Sequence, residues 1–459
     1  MSKYSQEIIV NYLKTYGFVF PNSEIYGGLA NAWDYGPIGT LLKNNLKALW
    51  WKEFVTKVPN AIGLDSTIIN NPRIYKASGH ISNFNDPLID CKSCKQRYRA
   101  DKLINESLKN GVKVSEATPL KQLKEIISSN HIKCPNCGKE TWTDVRQFNL
   151  MFKTFQGVLE DENTTLYLRP ETCQNIFVDF MSIARTSRLK LPFSVCQIGK
   201  SFRNEITPGN FIFRTREFEQ AEMEYFTNPS DSLEEFDELL EKVKMFLFNT
   251  LQMNEANFKY YDVKKTELAH YSKKTIDIEY DFPHGYSELW GIAHRGQFDF
   301  LNHIEASGKD IYYLDTNGAK IIPQVIEPSV GIDRLFYAII CDKYEVEKLS
   351  DNEEREVLHL PISLSPYKFS VLPLNNKLNS EAYALFLKII GKGISCSFDA
   401  SGSIGKRYRR QDAIGTPYCI TYDFDSGQKR TVTIRERDSM KQETINIEEL
   451  FNFINVKLM

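Results

Sequence analysis

The sequence has no run of 18 apolar residues, so no segment is expected to span a membrane. It has no basic stretch leading into a short apolar core, so no secretory leader is expected. It has almost no net charge: 57 Lys and Arg against 59 Asp and Glu leave −2 at pH 7. That excludes a global pull toward nucleic acid, and any RNA contact must come from a local basic patch. It also lacks an even cysteine framework. Of nine cysteines, four sit in two C-x-x-C pairs and five are scattered, which fits a reducing cytoplasm better than a disulfide scaffold. No thioredoxin-like strand–helix–strand context surrounds either pair, which argues against redox chemistry. What remains is ordinary globular composition, 42% hydrophobic and 25% charged over 459 residues, enough for two or three domains.

The densest signal lies at 195–226. Read at period two, Val195, Gln197, Gly199, Ser201, Arg203 and Glu205 share one strand face. Thr207-Pro208-Gly209-Asn210 predicts a turn. Beyond it Arg214, Arg216, Phe218, Gln220, Glu222 and Glu224 share a face, and Thr215, Glu217, Glu219, Ala221, Met223 and Tyr225 the other. The pattern predicts an antiparallel hairpin. Three arginines beside a row of carboxylates suit a ligand carrying both phosphates and an amine. The plain alternative is a solvated hairpin with surface ion pairs, worth little in stability.

The remaining chain supplies more candidates. A helix is predicted within 4–20, ending in a short strand at Phe18-Val19-Phe20. Glycines around Asp34-Tyr35-Gly36-Pro37 precede a helix from about Ile38, with Leu41, Leu42, Leu46, Leu49, Trp50 and Phe54 at helical spacing. That stripe suits either core or an interface. Cys91, Cys94, Cys134 and Cys137 can supply four thiolates to one tetrahedral zinc. We read 91–142 as an insertion, helical over 101–130. A strand is expected over Val145–Phe155, a turn at Asp161-Glu162-Asn163, and a second strand at Leu166–Leu168. Glu171 then stands at a strand-to-helix corner, with Thr172 as N-cap of a helix carrying Ile176, Phe177, Phe180 and Met181. Residues 228–276 read as a polar helical insertion, followed by strands at 277–282 and 286–292. From about His359-Leu360-Pro361 onward, strands alternate with helices, which predicts a small α/β domain. Its tract with Lys406, Arg407, Arg409 and Arg410 around Tyr408 could bind RNA phosphates and stack a base, or form a solvated helix face.

Phe202-Arg203-Asn204-Glu205, a loop, then Phe213-Arg214-Thr215-Arg216-Glu217-Phe218-Glu219-Gln220-Ala221-Glu222 resembles motif 2 of the class II aminoacyl-tRNA synthetases. The ending resembles the dimeric glycyl-tRNA synthetases in particular. So do Arg169-Pro170-Glu171-Thr172, Glu288-Leu289-Trp290-Gly291-Ile292-Ala293-His294-Arg295 and Glu327-Pro328-Ser329-Val330-Gly331-Ile332-Asp333-Arg334. The last resembles motif 3, with Ser329 where the class pattern has Gly. The segment 27–56 resembles motif 1, the dimer-interface helix, and favours the interface reading of its stripe.

The resemblance implies an α+β fold: a class II antiparallel-sheet catalytic domain with insertions over 1–362, and a C-terminal mixed α/β anticodon-binding domain over 363–459. It implies activation of glycine by ATP and transfer of glycine to tRNA(Gly) in translation, by a cytoplasmic homodimer without membrane contact. Arg203, Glu205 and Arg334 would be catalytic. ATP would lie among Arg203, Asn204, Glu205, Phe213, Arg214, Thr215, Arg216, Glu217, Phe218, Glu288, Leu289, Gly331, Ile332, Asp333 and Arg334. Which of Arg214 and Arg216 meets the outer phosphates stays open; Glu288 would hold Mg²⁺. Glycine would lie among Arg99, Glu171, Phe218, Glu219, Gln220, Ala221, Glu222, Arg295, Glu327, Pro328, Ser329, Val330 and Gly331, with Arg295 on its carboxylate. Lys406, Arg407, Arg409 and Arg410 would meet tRNA. No segment reads as an editing domain.

Overall fold

The computed structural model describes residues 3–458 except 109–112, 116–117, 162, 207, 266–267 and 316. Glu162 and Thr207, each part of an expected turn, lie outside the described residues.

Alternating sequence produces a central sheet of seven strands: β1 (Ala61–Gly63), β2 (Phe193–Phe202), β3 (Glu217–Thr227), β4 (Phe258–Asp262), β5 (Lys274–Phe282), β6 (Gly285–Gly296) and β7 (Gln324–Gly331). The order across the sheet is β4-β5-β6-β7-β3-β2-β1, antiparallel except for the β2–β1 pair. One face carries the apolar side chains of β3 and β7, among them Ala221, Met223, Ile326 and Val330, into the main core. The other face carries the polar set. Because side chains alternate across a sheet, one apolar face fixes the polar face as well.

Three helices cover the apolar face. The Pro37–Trp51 helix has Pro at its first turn, where a missing N–H costs nothing. Its Leu42, Leu46 and Trp50, with Phe54 beyond, are fully buried. Burial of such side chains contributes about 1.5–3 kcal/mol each, well above the fraction of a kcal/mol that helix propensity offers per residue. The expected apolar stripe is therefore core within one chain. The Ser232–Met245 helix and the Ile332–Lys343 helix complete the layer. Lys43 reaches from the first of these to Asp333 at 2.6 Å and Glu219 at 3.1 Å, tying it to the start of the third helix and to β3.

Several local expectations need correction. β2 and β3 are not joined by a tight turn; 203–216 is a long loop that pairs with itself through Gly209 and Arg214. Its tip, Phe211–Phe213, turns inward, with Phe211 against Trp33 and Tyr337. Apolar residues at the tip make a folded-back loop more favourable than an exposed hairpin. The region 145–155 forms two short strands, Arg146–Asn149 and Lys153–Phe155, in different sheets. The 228–276 region is not wholly helical, since β4 adds an edge strand to the main sheet. Thr172 does not cap a helix: the Gln174–Ser187 helix begins after Cys173, and the Thr172 hydroxyl donates to Glu222.

The cysteine pairs form two matching knuckles. In each, the residue after the second cysteine, Lys95 or Gly138, is left-handed and its N–H returns to the carbonyl of the first. Helices Ala100–Ser107 and Leu120–Ser129 pack between the knuckles around Ile104, Leu123 and Ile127.

Beyond a hairpin of Tyr344–Ser350 and Glu353–Leu358, a five-stranded mixed sheet has its own core around Val371, Leu385, Ile420 and Ile434. The hairpin and the helix Phe424–Lys429 were not anticipated. Asp412 joins this unit to the hairpin, pairing with Arg435 at 2.7 Å and Arg355 at 3.1 Å, all buried. Arg407 is the main surprise. It lies 2% exposed and donates to the carbonyls of Pro373, Ala400 (2.7 Å) and Gly402 (2.8 Å). It is a structural cation, not a surface ligand. Tyr408 is likewise engaged, with its hydroxyl on Thr421 at 2.6 Å and Arg435 over its ring. Neither is free to meet RNA. We expect Arg407→Ala to destabilise this unit by about 3 kcal/mol or more, because several buried carbonyls lose a charged donor. Thermal unfolding checks it, and an unchanged transition would contradict the structural role.

Candidate active site

The polar face of the sheet floors a cavity of about 330 Å³. Three cross-strand rows run beneath it, and all their members except Gly199, Gln197, Val195 and Glu224 line the cavity. Gly199, Gln220 and Gly331 form the first; Gln197, Glu222, Ser329, Gly291 and Asp277 the second. The third holds Val195, Glu224, Glu327 and Ala293, since Val195 pairs with Glu224 and Glu327 with Ala293.

The loop 203–216 and the start of the Ile332–Lys343 helix form one end, which is cationic. Arg203 donates to the Pro170 carbonyl at 3.0 Å, and its guanidinium lies 5.3 Å from both the Phe84 and Phe218 rings. Arg334 lies 4.4 Å over Phe213, donates to that residue's carbonyl, and pairs with Glu288 at 3.2 Å. Arg214 lines the cavity and approaches Glu205 at 3.8 Å. Arg216 does not line it; its guanidinium donates to the Glu205 and Ala30 carbonyls. Of these two arginines, Arg214 is the one that lines the cavity. Thr215, Leu289, Gly331 and Asp333 also line the cavity. Burial opposes ionisation of Asp333, yet Lys43, the Tyr35 hydroxyl and the Glu219 N–H hold its carboxyl below the usual range.

The other end is anionic and buried. Glu222 is 2% exposed; it accepts from the Thr172 N–H at 2.8 Å, Gln220 at 2.9 Å and the Ser329 hydroxyl at 2.9 Å. Burial, and then the charge of Glu171, push its carboxyl up. Burial also works against Glu171, but His80 at 3.2 Å, Arg295 at 4.0 Å and the Cys173 thiol at 2.9 Å hold that carboxyl well down. Glu327 pairs with Arg295 at 2.7 Å.

Several expected residues lie elsewhere. Arg295 is 1% exposed, held by Asp299 at 2.8 and 2.9 Å as well as by Glu327, and lies 3.9 Å from the Tyr271 ring. It braces the floor and does not line the cavity, so a direct pair with a substrate carboxylate does not fit. Glu219 points to the back face, to Lys43 and Lys47, and Glu217 to Lys200 in solvent. Ala221, Val330 and Ile332 lie in the apolar core, and Pro328 alternates away from Glu327 and Ser329. Asn204 donates its backbone N–H to Leu150 and does not line the cavity. Arg99 is held by Asp86 and Asp101, both at 2.7 Å, outside the cavity wall.

The structure adds residues that the sequence did not flag: His80, Phe84, Tyr271 and Asp277. Asp277 stands beside Glu288. A Cβ at Gly291 would lie 3.6 Å from a Glu288 oxygen and 3.7 Å from an Asp277 oxygen, so the two carboxylates converge there. Burial, then the charge of Glu288, pushes Asp277 up to about 7. Only the register of β5 against β6 brings them together, so no local motif signals it.

The four knuckle sulfurs also come together. All lie within 4.8 Å of one another, with Cys91–Cys137 and Cys94–Cys134 at 3.6 Å. A tetrahedron of bonds near 2.3 Å puts sulfurs roughly 3.8 Å apart, whereas a disulfide requires about 2.05 Å.

A largely antiparallel sheet, a long arginine-bearing loop on one of its strands and an arginine at a strand–helix junction define a class II aminoacyl-tRNA synthetase core. The family model of the tRNA synthetase class II core domain (G, H, P, S and T) matches residues 154–344. Glycyl-tRNA synthetase insertion domain 1 matches 108–150, and the anticodon binding domain matches 368–457. Relatives named glycine--tRNA ligase include that of Malacoplasma penetrans (strain HF-2), 58% identical over 98% of this chain and 96% of its own length. That of Mycoplasmoides gallisepticum is 57% identical over 99% of both, and that of Geobacillus thermodenitrificans 53% identical over 99% and 98%. The chain belongs to the glycine--tRNA ligase family. A solved structure described as the RNA binding domain of threonyl-tRNA synthetase from Cryptosporidium parvum Iowa II shares the fold alone, with TM-score 0.65 and 16% identity over 99% of this chain and 98% of that one.

If Arg214 serves the outer phosphates, Arg214→Ala should raise the ATP KM by roughly tenfold or more, as loss of a charge-assisted contact predicts. Arg216→Ala should change it less. Steady-state ATP–pyrophosphate exchange separates the two, and the reverse order would reject the assignment.

Proposed function

We propose that glycyl-adenylate forms in this cavity, with ATP at the cationic end and the glycine ammonium at the anionic end. One observation carries the reading: a single cavity is lined by Arg203, Arg214 and Arg334 at one end and by Glu171, Glu222 and Glu327 at the other. Few ligands other than an amino acid beside a polyphosphate match both ends. A glycine carboxylate oxygen attacks the α-phosphorus and pyrophosphate leaves. The nucleophile is already ionised, so positioning and charge stabilisation suffice. Arg203, fixed between Phe84 and Phe218, takes the α-phosphate and carboxylate region in place of Arg295. Arg334 and Arg214 take the outer phosphates, and Phe218 offers its ring to adenine. Asp277 and Glu288 fit Mg²⁺, since both are hard oxygen donors and their mutual repulsion favours a cation. When bound, it neutralises phosphate charge. Transfer of glycine to tRNA(Gly) follows.

The reading extends to the whole chain. The catalytic domain spans 1–362, with the 91–142 insertion, and the anticodon-binding domain 363–459. Lys406, exposed, and Arg409 and Arg410, in partly exposed pairs with Glu353 and Asp399, are the tRNA contacts of the basic tract. Zinc held by Cys91, Cys94, Cys134 and Cys137 locks the insertion; the sulfur spacing supports it. A cytoplasmic location fits nine free cysteines. A homodimer through 27–56 and the turn before it fits the exposure of Ile25, Tyr26 and Leu29 at 88, 86 and 62%.

Glycine specificity by exclusion gives the principal test. The ammonium and carboxylate are common to all amino acids, so selectivity needs a lack of room beside Cα. Ser329 fills that space and donates to Glu222. Ser329→Gly should lower the glycine-to-alanine ratio of kcat/KM, by roughly tenfold or more if a methyl is refused sterically. Pyrophosphate exchange with both amino acids measures it; an unchanged ratio refutes the steric account. Elemental analysis should find near one zinc per chain, and metal-free protein with intact stability would remove that site. Sedimentation should show a dimer at micromolar concentration; an active monomer would count against the interface.

A further inference from the structure

Behind the three carboxylates of the cavity floor lies a fourth. β3 and β7 pair so that Glu222 faces Ser329 and Tyr225 faces Ile326. The same register sets Glu224 directly opposite Glu327. Alternation points Glu224 to the cavity side of the sheet, one row behind Glu222. It has no exposure, and among the described residues no donor reaches either of its oxygens. Yet its carboxyl, the Glu327 carboxyl and the Cys173 sulfur come within 4.8 Å of one another.

Two opposed carboxylates in a dry interior cannot both ionise, so a proton must stay with the pair. The surroundings decide which group carries it. Burial pushes both carboxyls up, Glu327 to about 8, but Arg295 engages Glu327 at 2.7 Å and favours that member of the pair as the anion. Glu224 has no such partner. The titratable and charged groups that face it are Glu327 from β7, Arg295 from β6, Cys173 from the turn before the 174–187 helix, and Glu222 on its own strand; β2 offers only the apolar Val195. A metal does not explain the trio. The Cys173 thiol donates to Glu171 at 2.9 Å, and burial pushes it well above its usual range, so it is no thiolate ligand.

We propose that Glu224 is a neutral carboxylic acid that donates its O–H to Glu327 and so positions that carboxylate beneath the ammonium site. Glu327 is then fixed from both sides, by Arg295 and by Glu224. The floor also loses one negative charge, leaving fewer anions to be matched by the entering ammonium. Burial, followed by the charge of Glu327, drives the Glu224 carboxyl well above the usual range, which agrees with the geometry. Glu224 is a positioning residue that touches no substrate. The inference rests on the reading of the floor as the ammonium pocket.

Two measurements test it on the full-length protein. Infrared difference spectra at neutral pH, wild type against Glu224→Gln, should show loss of the C=O stretch of a protonated carboxylic acid. A lost carboxylate band instead would overturn the proposal, whatever the fate of the glycine site. Kinetics then test the role. Glu224→Leu removes the donor and should raise glycine KM by roughly tenfold while ATP KM stays within about twofold, since a buried acceptor loses its partner. Glu224→Gln keeps a neutral donor and should restore glycine KM to within roughly threefold of wild type. If Glu224→Gln is as impaired as Glu224→Leu, the side chain acts as a charge and the proposal fails. Glu222→Gln serves as the reference: an unchanged glycine KM there would reject the pocket reading and leave the protonation result standing. Where Glu224→Leu does not fold, the spectrum and Glu224→Gln decide.

Discussion

Burying a carboxylate costs several kcal/mol unless a cation or a proton accompanies it. This chain buries Glu171, Glu222, Glu224, Glu327 and Asp299 within one small region. Arg295 is the central cation, reaching Asp299 twice, Glu327 once and Glu171 at 4.0 Å. Remove it and these three acids lose a shared counter-charge together. Packed apolar clusters of the same volume are often as stable as such networks or more so. Its persistence on the wall of a cavity is what ties it to ligand binding. In the proposed reading, an ammonium beside Glu222 would supply a second cation to a floor that remains strongly acidic. The free energy of seating that ammonium is therefore built in by the cost of the anions.

The cationic end is held by different physics. Arg203 and Arg334 are fixed by aromatic rings and backbone carbonyls more than by carboxylates. Ring faces and neutral carbonyls orient a guanidinium without cancelling its charge, so the charge stays available to phosphate. The loop that presents Arg203 and Arg214 is pinned by Phe211–Phe213 in the core, and Asn31 accepts part of the load by donating to the Arg214 carbonyl at 2.5 Å. Preorganisation of that kind is what phosphoryl chemistry needs, because the attacking carboxylate requires no activation.

Much of this was legible in the sequence, for a reason that also explains the misses. Period-two alternation identifies which residues of β3 share a face, and Phe218, Gln220 and Glu222 do line the cavity together. The same rule, applied strictly, removes Glu217, Glu219 and Ala221; they were expected at the site only because they stand within a motif. Pro328 and Val330 fail for the same reason on β7. What alternation cannot give is register between strands distant in sequence. Asp277 beside Glu288, and Glu224 opposite Glu327, exist only through pairing. Arg295 carried a readable hint, Asp299 four residues on across the strand-to-helix junction, near enough to form an internal ion pair before a substrate contact. His80 and Phe84 lie in a segment without any motif, and tertiary packing alone brings them in.

The basic tract shows how burial sorts like residues into unlike roles. Lys406, Arg407, Arg409 and Arg410 look equivalent in sequence, but a helix turns them to different sides. Arg407 faces inward and satisfies carbonyls of two loops, so it cannot leave without unfolding its surroundings. Arg409 and Arg410 sit at 34 and 40% side-chain exposure, paired with Glu353 and Asp399. Surface pairs of that kind are worth about 0–1 kcal/mol, little enough that a phosphate can replace the carboxylate. Lys406 has no such pair among the described residues. The cations left at the surface thus fall on the outer side of the helix, while buried Asp412 on its inner side ties it to Arg355 of the hairpin and to Arg435 of its own sheet.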